Sequence, residues 1–281
     1  MAENFKQLIV NADDFGESPF VNAAIMQAFH QGIVTSTSLI TTGASFDQAV
    51  SLARTNPDLR VGLHLVFIDN YSLLPHKDIP DLVDNQGRFP TSTVRTGFYW
   101  MSHPKIWKQI RMELRAQLDR FLGTGLPLDH INGHYHFHIH PVIFNLLLEE
   151  IVDLELVNLR LPIESLRPSL LIDHNDLYRK LGYILKFNLI SIYHRHQLTI
   201  RKFRTINGVY GLFQTGGISE DYLLSLLCKI PKGTYELYVH PRLDKQSGIH
   251  ELKALTSPYV KQKILEQNIH LTTYSHLPNV W

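Results

Sequence analysis

The chain has 281 residues, of which 44% are hydrophobic and 19% are charged, and its formal net charge is +1. This length allows a sizeable core, and the near-zero charge argues against a nucleic-acid-binding surface covering the molecule. No run of eighteen apolar residues occurs, so we expect no transmembrane helix. The polar start Met1 to Gln7 and the single cysteine, Cys228, predict a cytoplasmic protein without a signal peptide or an internal disulfide.

The first half of the chain predicts strands alternating with helices. A short apolar strand, Leu8 to Val10, is followed by Asn11-Ala12-Asp13-Asp14-Phe15-Gly16. Ser18 and Pro19 then suit the cap and the first turn of a helix that ends before Gly32. Further along, the hydrophobic patterns predict strands over 34–40, 59–66 and 128–132, a helix over 46–54 and another over 104–121.

The second half continues the alternation and favours a barrel. We predict short strands over 157–161, 205–209, 234–239 and 269–273, and helices over 142–152, 220–228, 249–255 and 258–267. Two insertions interrupt the pattern, an irregular one at about 69–100 and one at about 173–204 with a helix near 175–193. Long insertions often cover a functional site. The whole pattern predicts one catalytic α/β domain over 1–281, built as a distorted (β/α) barrel.

Asp13 and Asp14 stand where the first strand is expected to give way to a turn and a helix. α/β enzymes present functional side chains at this position. Adjacent carboxylates repel each other unless a cation or a hydrogen bond separates their roles. Taken alone, the motif is more typical of an ordinary surface turn, in which Asp and Gly are common. The choice between a metal site and a turn therefore depends on the histidines elsewhere in the chain.

Histidine is abundant, with sixteen in the chain and four at alternate positions from His134 to His140. An extended backbone would point all four imidazoles to one side. Buried imidazoles each need a partner, so metal binding is the economical interpretation, with some of the four near the ligands or in solvent. His64, within the apolar strand 62–65, can be a hydrogen-bonded core residue or a ligand.

Asp14, His64 and His134 come from the ends of the first, third and fourth predicted strands, which a barrel would bring together. Two imidazoles and one carboxylate suit a catalytic Zn²⁺, although Mg²⁺, Fe²⁺ or another divalent ion remains an alternative. Asp13 would then be free to act as a base toward water, and His240 could approach as an acid. The set predicts a metal hydrolase of an amide, an ester or a phosphate. A non-catalytic sugar- or lipid-binding protein is the third function class.

Four motifs in this order resemble the YdjC-like carbohydrate deacetylase family. They are Asn11 to Gly16 with Gly32 to Ser38, Gly62-Leu63-His64, His134 to Pro141, and His240-Pro241. The resemblance implies a barrel related to polysaccharide deacetylases and divalent-metal-dependent removal of N-acetyl groups from amino sugars. Matched motif by motif, it implies Asp14, His64 and His134 as metal ligands, Asp13 as base and His240 as acid. His136, His138 and Arg242 are further candidates for contacts with the ligands or the substrate.

Smaller motifs resemble the hopanoid-biosynthesis-associated branch of that family. They include Leu74-Pro75, Ile79 to Asp84, Gly87-Arg88-Phe89, Gly125 to His130 and Thr215-Gly216-Gly217. This branch implies an N-acetylglucosaminyl group on a hopanoid lipid as the substrate, with soluble chito-oligosaccharides as the alternative. Arg242 departs from the small residue expected after His240-Pro241, which affects the expected shape or charge of the acyl-side pocket.

The second insertion has the composition of a membrane-surface helix. No Asp or Glu occurs from Leu177 to Ser219, whereas seven Lys and Arg residues are interleaved with apolar ones. Such a helix can lie on an anionic membrane, which predicts peripheral contact through 175–204 on the inner face of the membrane. The alternative is a helix that packs on the barrel with its charges in water. A homodimer is also compatible with the sequence.

Overall fold

The computed structural model describes residues 5–154, 158–164, 182, 187–200, 203 and 206–277. Within them, seven strands form one parallel sheet: β1 (Lys6–Phe15), β2 (Ser36–Ile40), β3 (Arg60–Leu65), β4 (Leu128–Gly133), β5 (Gly208–Tyr210), β6 (Gly233–Val239) and β7 (Ile269–Thr272). Their order is β4-β3-β2-β1-β6-β5, and β7 pairs with the first half of β1.

Helices follow most strands and bury one apolar face each. They are α1 (Pro19–Gln31), α2 (Phe46–Thr55), α3 (Thr93–Ser102), α4 (Trp107–Leu122), α5 (Pro141–Glu150), α6 (Leu189–Ile200), α7 (Glu220–Lys229), α8 (Gln246–Thr256) and α9 (Pro258–Glu266). Ser18 caps α1 by accepting from the Val21 N–H, as its sequence predicts. The buried stripe of α4 runs from Ile110 through Leu114 and Leu118 to Phe121. The predicted alternation of strands and helices is thereby confirmed.

The sheet curls into a half-barrel, and a short segment at 158–164 links its two edges. Leu159 forms a parallel bridge with Ile131 of β4. At the other end of the segment, the Ile163 carbonyl accepts from the Val209 N–H of β5, at 2.9 Å. The predicted distorted barrel is therefore confirmed. Residue 157 of the strand predicted over 157–161 lies outside the described residues. The described remainder forms this bridge rather than a full strand.

The first insertion is more regular than predicted. Residues 93–100, expected to be irregular, belong to helix α3, which begins after Ser92. Gly97 misled the prediction because glycine disfavours helix interiors. Here it is needed for a close approach, since a Cβ on Gly97 would lie 3.3 Å from the ring of His140. The preceding loop is tied to α4, where Glu113 accepts from the N–H groups of Leu73 and Leu74, both at 2.9 Å.

Most of the second insertion, including residues 175–181 and 183–186 of the predicted helix, lies outside the described residues. The part that is described forms α6, which overlaps the end of the helix predicted near 175–193. Among the described residues, no helix has both the length and the apolar character needed to cross a membrane.

We expect Gly62→Ala to lower the free energy of unfolding by about 1–3 kcal/mol, the usual cost of overpacking a core. A Cβ at this position in β3 would lie 2.5 Å from Cε1 of His130, whose ring is stacked on Tyr274. Urea denaturation measures the change. Gly217→Ala is the control, because its Cβ would come no closer than 3.6 Å to another atom. Equal stability of the two variants would contradict the packing argument.

Candidate active site

A backbone irregularity brings two adjacent carboxylates to one cavity. Neighbouring residues of a regular strand point to opposite faces. In β1, however, the pairing with β2 shifts register between Ala12 and Phe15, and Asp14 has a φ of 70°. Such bulges re-aim side chains next to functional sites. Asp13 and Asp14 consequently line the same cavity, and the turn expected at this point is wrong because β1 continues to Phe15.

Asp14, His64 and His134 form a compact group of metal-ligand atoms. One ligand atom from each residue lies within 4.8 Å of the others. Oδ1 of Asp14 is 3.3 Å from Nε2 of His64 and 3.4 Å from Nδ1 of His134. Burial alone would raise the pKa of the Asp14 carboxyl, but the two imidazoles hold it well below its usual range. The three residues come from β1, β3 and the turn after β4, as the sequence predicts.

The local hydrogen bonds leave ligand atoms free for a cation. Nδ1 of His64 lies 2.7 Å from Oδ1 of Asn132, an oxygen that can only accept, so Nδ1 carries the proton and Nε2 presents its lone pair. Both Nε2 of His64 and Oδ1 of Asp14 are buried without a hydrogen-bond partner. Unpartnered buried polar atoms are costly. The set of two nitrogens and one oxygen therefore fits a divalent ion such as Zn²⁺.

Asp13 is held by a dense hydrogen-bond network rather than by the metal-ligand group. Its Oδ1 accepts from Asn11 at 2.8 Å, Ser38 at 2.7 Å, Asn132 at 3.0 Å and Arg160 at 2.8 Å. Its Oδ2 accepts from Arg160 at 2.7 Å. Among the described contacts, Oδ2 thus accepts fewer hydrogen bonds than Oδ1, so it retains the capacity to accept a proton from a further group. Asn132 contacts both Asp13 and His64, so one amide orients both side chains.

A buried ionic chain extends from Asp13 into the barrel. Arg160 is fully buried and donates through Nε to both oxygens of Glu236, each at 3.0 Å. The Tyr274 hydroxyl donates to Glu236 at 2.5 Å. Burial would raise the pKa of Asp13, but the Arg160 guanidinium together with His64 and His240 outweighs that effect and holds this pKa well below its usual range. Asp13 is consequently ionised at neutral pH.

His240 and Arg242 line the cavity just after β6, the strand that pairs with β1 beside Asp13. Nε2 of His240 is 3.9 Å from Oδ2 of Asp13, and its backbone N–H donates to Glu251 at 2.6 Å. Arg242 is bound by carboxylates, with Asp244 at 2.6 Å and Glu17 at 3.2 Å. Its charge is therefore largely compensated at the cavity wall.

The histidine-rich segment does not adopt the extended backbone that would point all four imidazoles to one side. Residues His134–Ile139 form a 3-10 turn in which Tyr135 and His136 have left-handed φ values of 49° and 55°. The turn separates the histidines into different environments. His136 lines the cavity and lies 3.3 Å from the Tyr238 hydroxyl, whereas His138 binds the Arg160 carbonyl at 2.8 Å behind it. His140 binds the Gly97 carbonyl at 3.0 Å.

The cavity has a volume of about 530 Å³, within the range of small-molecule sites. Besides the residues above, its walls include Glu17, Asp69, Arg88, Tyr135, Phe187, Leu212, Thr215 and Lys245. Burial and the nearby Asp14 charge raise the pKa of Glu17. Polar groups combined with aromatic rings such as Tyr135 and Phe187 are suited to a polar ligand with apolar faces, as sugars have.

A family model described as YdjC-like protein matches residues 7–266. The chain belongs to the YdjC-like family. A carbohydrate deacetylase from Brevibacillus brevis is 32% identical over 274 residues, covering 96% of this chain and 99% of the relative. One from Geobacillus stearothermophilus is 31% identical over 277 residues, covering 95% and 96%.

A solved structure extends the family relationship to the fold. An Enterococcus faecalis V583 protein, provisionally named a cellobiose-phosphate cleavage protein, superposes with a TM-score of 0.74 at 27% identity. The match covers 97% of this chain and 98% of that chain. The two proteins therefore share one fold over nearly their full lengths.

Sequence reasoning missed Arg160 and Glu236, although each had a local signal. Arg160 interrupts the apolar run Leu159-Arg160-Leu161, and Glu236 lies within the apolar strand β6. A charged residue in such a setting is rarely buried without a partner. Their pairing with each other and with Asp13 could not be read from spacing, because 76 and 147 residues separate the partners.

We expect Arg160→Leu to lower the free energy of unfolding by about 3–5 kcal/mol, because it leaves two buried carboxylates without their cation. Arg115→Leu is the matched control. Arg115 also pairs with two carboxylates, Asp119 and Glu150, but at the surface, where such pairs contribute only about 0–1 kcal/mol. Urea denaturation of both variants compares them, and similar losses would contradict the buried-cluster assignment.

Acid should destabilise the protein through His138. Burial lowers the pKa of His138 to about 3 in the folded state, against 6.5 for an ordinary histidine. Between these values the unfolded chain binds the extra proton, so stability falls as pH decreases below about 6.5. We expect His138→Gln, which keeps a donor for the Arg160 carbonyl, to reduce the slope of the free energy of unfolding against pH by up to about 1.4 kcal/mol per pH unit. The surface variant His103→Gln is the control, and equal slopes in both would refute the assignment.

Proposed function

We propose that this protein is a divalent-metal-dependent hydrolase that removes an N-acetyl group from an amino sugar. The observation that carries the proposal is the group of Asp14, His64 and His134, with buried ligand atoms that lack partners, beside Asp13 and His240 in one cavity. The relatives named carbohydrate deacetylases support the substrate class. Zn²⁺ suits the donor set best, with Mg²⁺ or another divalent ion as the alternative.

The proposed roles follow from the contacts of each side chain. An ion held by Asp14, His64 and His134 would supply a Lewis acid next to the acetamide carbonyl. Asp13 is the proposed base, because it is ionised and its Oδ2 can accept a proton from water. His240, whose Nε2 lies 3.9 Å from Oδ2 of Asp13, is the proposed acid that donates a proton to the departing amine. His136 and Arg242 are proposed to contact the substrate, while His138 supports the Arg160 backbone.

The proposed glycan is an N-acetylglucosaminyl group linked to a hopanoid lipid, on the cytoplasmic face of the membrane. Support comes from the short motifs such as Ile79 to Asp84 and from the apolar residues that α6 exposes. A soluble chito-oligosaccharide is the alternative substrate, and an ester or phosphate is the alternative bond. We further propose that the whole chain acts as a single catalytic domain, as a monomer or a homodimer.

Acetate release from N-acetylated sugars tests this function. We expect the zinc-loaded protein to release acetate from N-acetylglucosamine oligomers or from an N-acetylglucosaminyl hopanoid, and a chelator to abolish the release until Zn²⁺ is restored. Faster turnover of the hopanoid substrate would support the lipid linkage. Unchanged activity after complete metal removal would contradict the proposal, and so would hydrolysis confined to esters or phosphates.

Replacing the proposed base should separate catalysis from metal binding. We expect Asp13→Asn to lower kcat by about 10²–10⁴-fold, the range typical of general bases, while it binds Zn²⁺ as the wild type does. Calorimetric zinc titration and the acetate assay measure the two properties. Asp69→Asn is the control, because Asp69 lines the same cavity outside the metal-ligand group. Near-wild-type turnover by Asp13→Asn would rule out Asp13 as the base.

A further inference from the structure

Helix α3 presents an apolar stripe to solvent. Val94, Phe98 and Met101 follow one another at helical spacing and are 58%, 70% and 50% exposed. The opposite face of the helix buries Trp100 against Phe137. Single exposed apolar residues are common, but a contiguous stripe on one helix face is typical of an interaction site.

The charged residues that flank this stripe in the sequence all have one sign. No Asp or Glu occurs between residues 85 and 112. Arg95, Lys105 and Lys108 are exposed, and none of them forms an ion pair with another described residue. By contrast, Arg111 further along α4 is paired with Glu149 and Glu150. The apolar stripe is therefore bordered by three cations that have no carboxylate partner in the part of the chain that the structure describes.

Helix α6 extends the same kind of surface from a neighbouring position. His194 of α6 binds the Ile139 carbonyl at 2.9 Å, and the Gly97 carbonyl of α3 binds His140 at 3.0 Å. Both helices are thus fixed to adjacent residues of one turn. Helix α6 contains no acidic residue. Its exposed apolar side chains are Leu189, Ile192, Tyr193 and Ile200.

We propose that the exposed faces of α3 and α6, the α3–α6 surface, dock on an anionic lipid membrane. Apolar side chains would enter the headgroup boundary while the cations meet lipid phosphates, the combination that holds interfacial helices on membranes. Charge complementarity favours this occupant over a second copy of the chain, because a symmetric dimer through α3 would bring identical cations together. The inference concerns localisation and does not depend on the catalytic proposal.

Vesicle flotation of the full chain tests the surface. We expect binding at low salt to vesicles of phosphatidylcholine with phosphatidylglycerol, and at least about tenfold weaker binding to phosphatidylcholine alone. The double variant Phe98→Ser/Met101→Ser and the triple variant Arg95→Gln/Lys105→Gln/Lys108→Gln should each lower the partition coefficient by at least about tenfold. Leu265→Ser on α9 is the matched control, since Leu265 is 74% exposed on another helix, and it should bind as the wild type does.

Three results would overturn the proposal. One is the absence of wild-type binding to the anionic vesicles at low salt. Another is unchanged binding by both surface variants when circular dichroism shows that they are folded. The third comes from sedimentation equilibrium. If the wild type is a dimer that the Phe98→Ser/Met101→Ser variant dissociates, the α3–α6 surface belongs to a second copy of the chain instead.

Discussion

The burial of two adjacent carboxylates at the end of one strand is the constraint on which the cavity depends. Asp13 and Asp14 would repel each other and each favour protonation unless separate positive partners compensate them. The fold supplies different partners to the two groups. Arg160 compensates Asp13, whereas the imidazoles of His64 and His134 face Asp14. A single irregularity in β1 thus creates two chemically distinct carboxylates side by side.

The buried charges beneath the cavity are better explained by the positioning of the proposed base than by a contribution to the stability of the fold. A buried ionic cluster contributes little net stability, because desolvation of the charges offsets their attraction. Asp13, Arg160 and Glu236 are nevertheless buried together and joined by hydrogen bonds. Such clusters are typical of functional sites. Asn132 extends this order to His64, so the orientations of the proposed base and of one proposed metal ligand are coupled.

Local sequence patterns predicted the elements whose boundaries are set by local chemistry. The cap Ser18, the apolar stripe of α4 and the alternating strands gave the correct fold class. The predictions that were wrong involve backbone geometry set by tertiary contacts. Helix α3 was not predicted because it contains Gly97, a residue explained only by the tertiary contact with the ring of His140. The left-handed backbone of Tyr135 and His136 cannot be inferred from an alternating sequence pattern.

The group of Asp14, His64 and His134 was predicted because strand ends meet at one edge of a parallel sheet, which is a rule of topology. The partners of Asp13 were not predicted, because nothing local links Arg160 to a residue 147 positions earlier. Barrel curvature brings these distant positions together. The sequence therefore indicated which residue types could carry the chemistry, and the fold showed how each one is held.

We propose that Asp14, rather than Asp13, binds the cation together with His64 and His134. A crystal structure of the zinc-loaded protein, with anomalous diffraction recorded above and below the zinc edge, measures this directly. We expect one anomalous peak about 2.0–2.2 Å from a carboxylate oxygen of Asp14 and from a ring nitrogen of each histidine, with Asp13 still bound to Arg160. A peak coordinated by Asp13, or zinc located only outside this cavity, would contradict it.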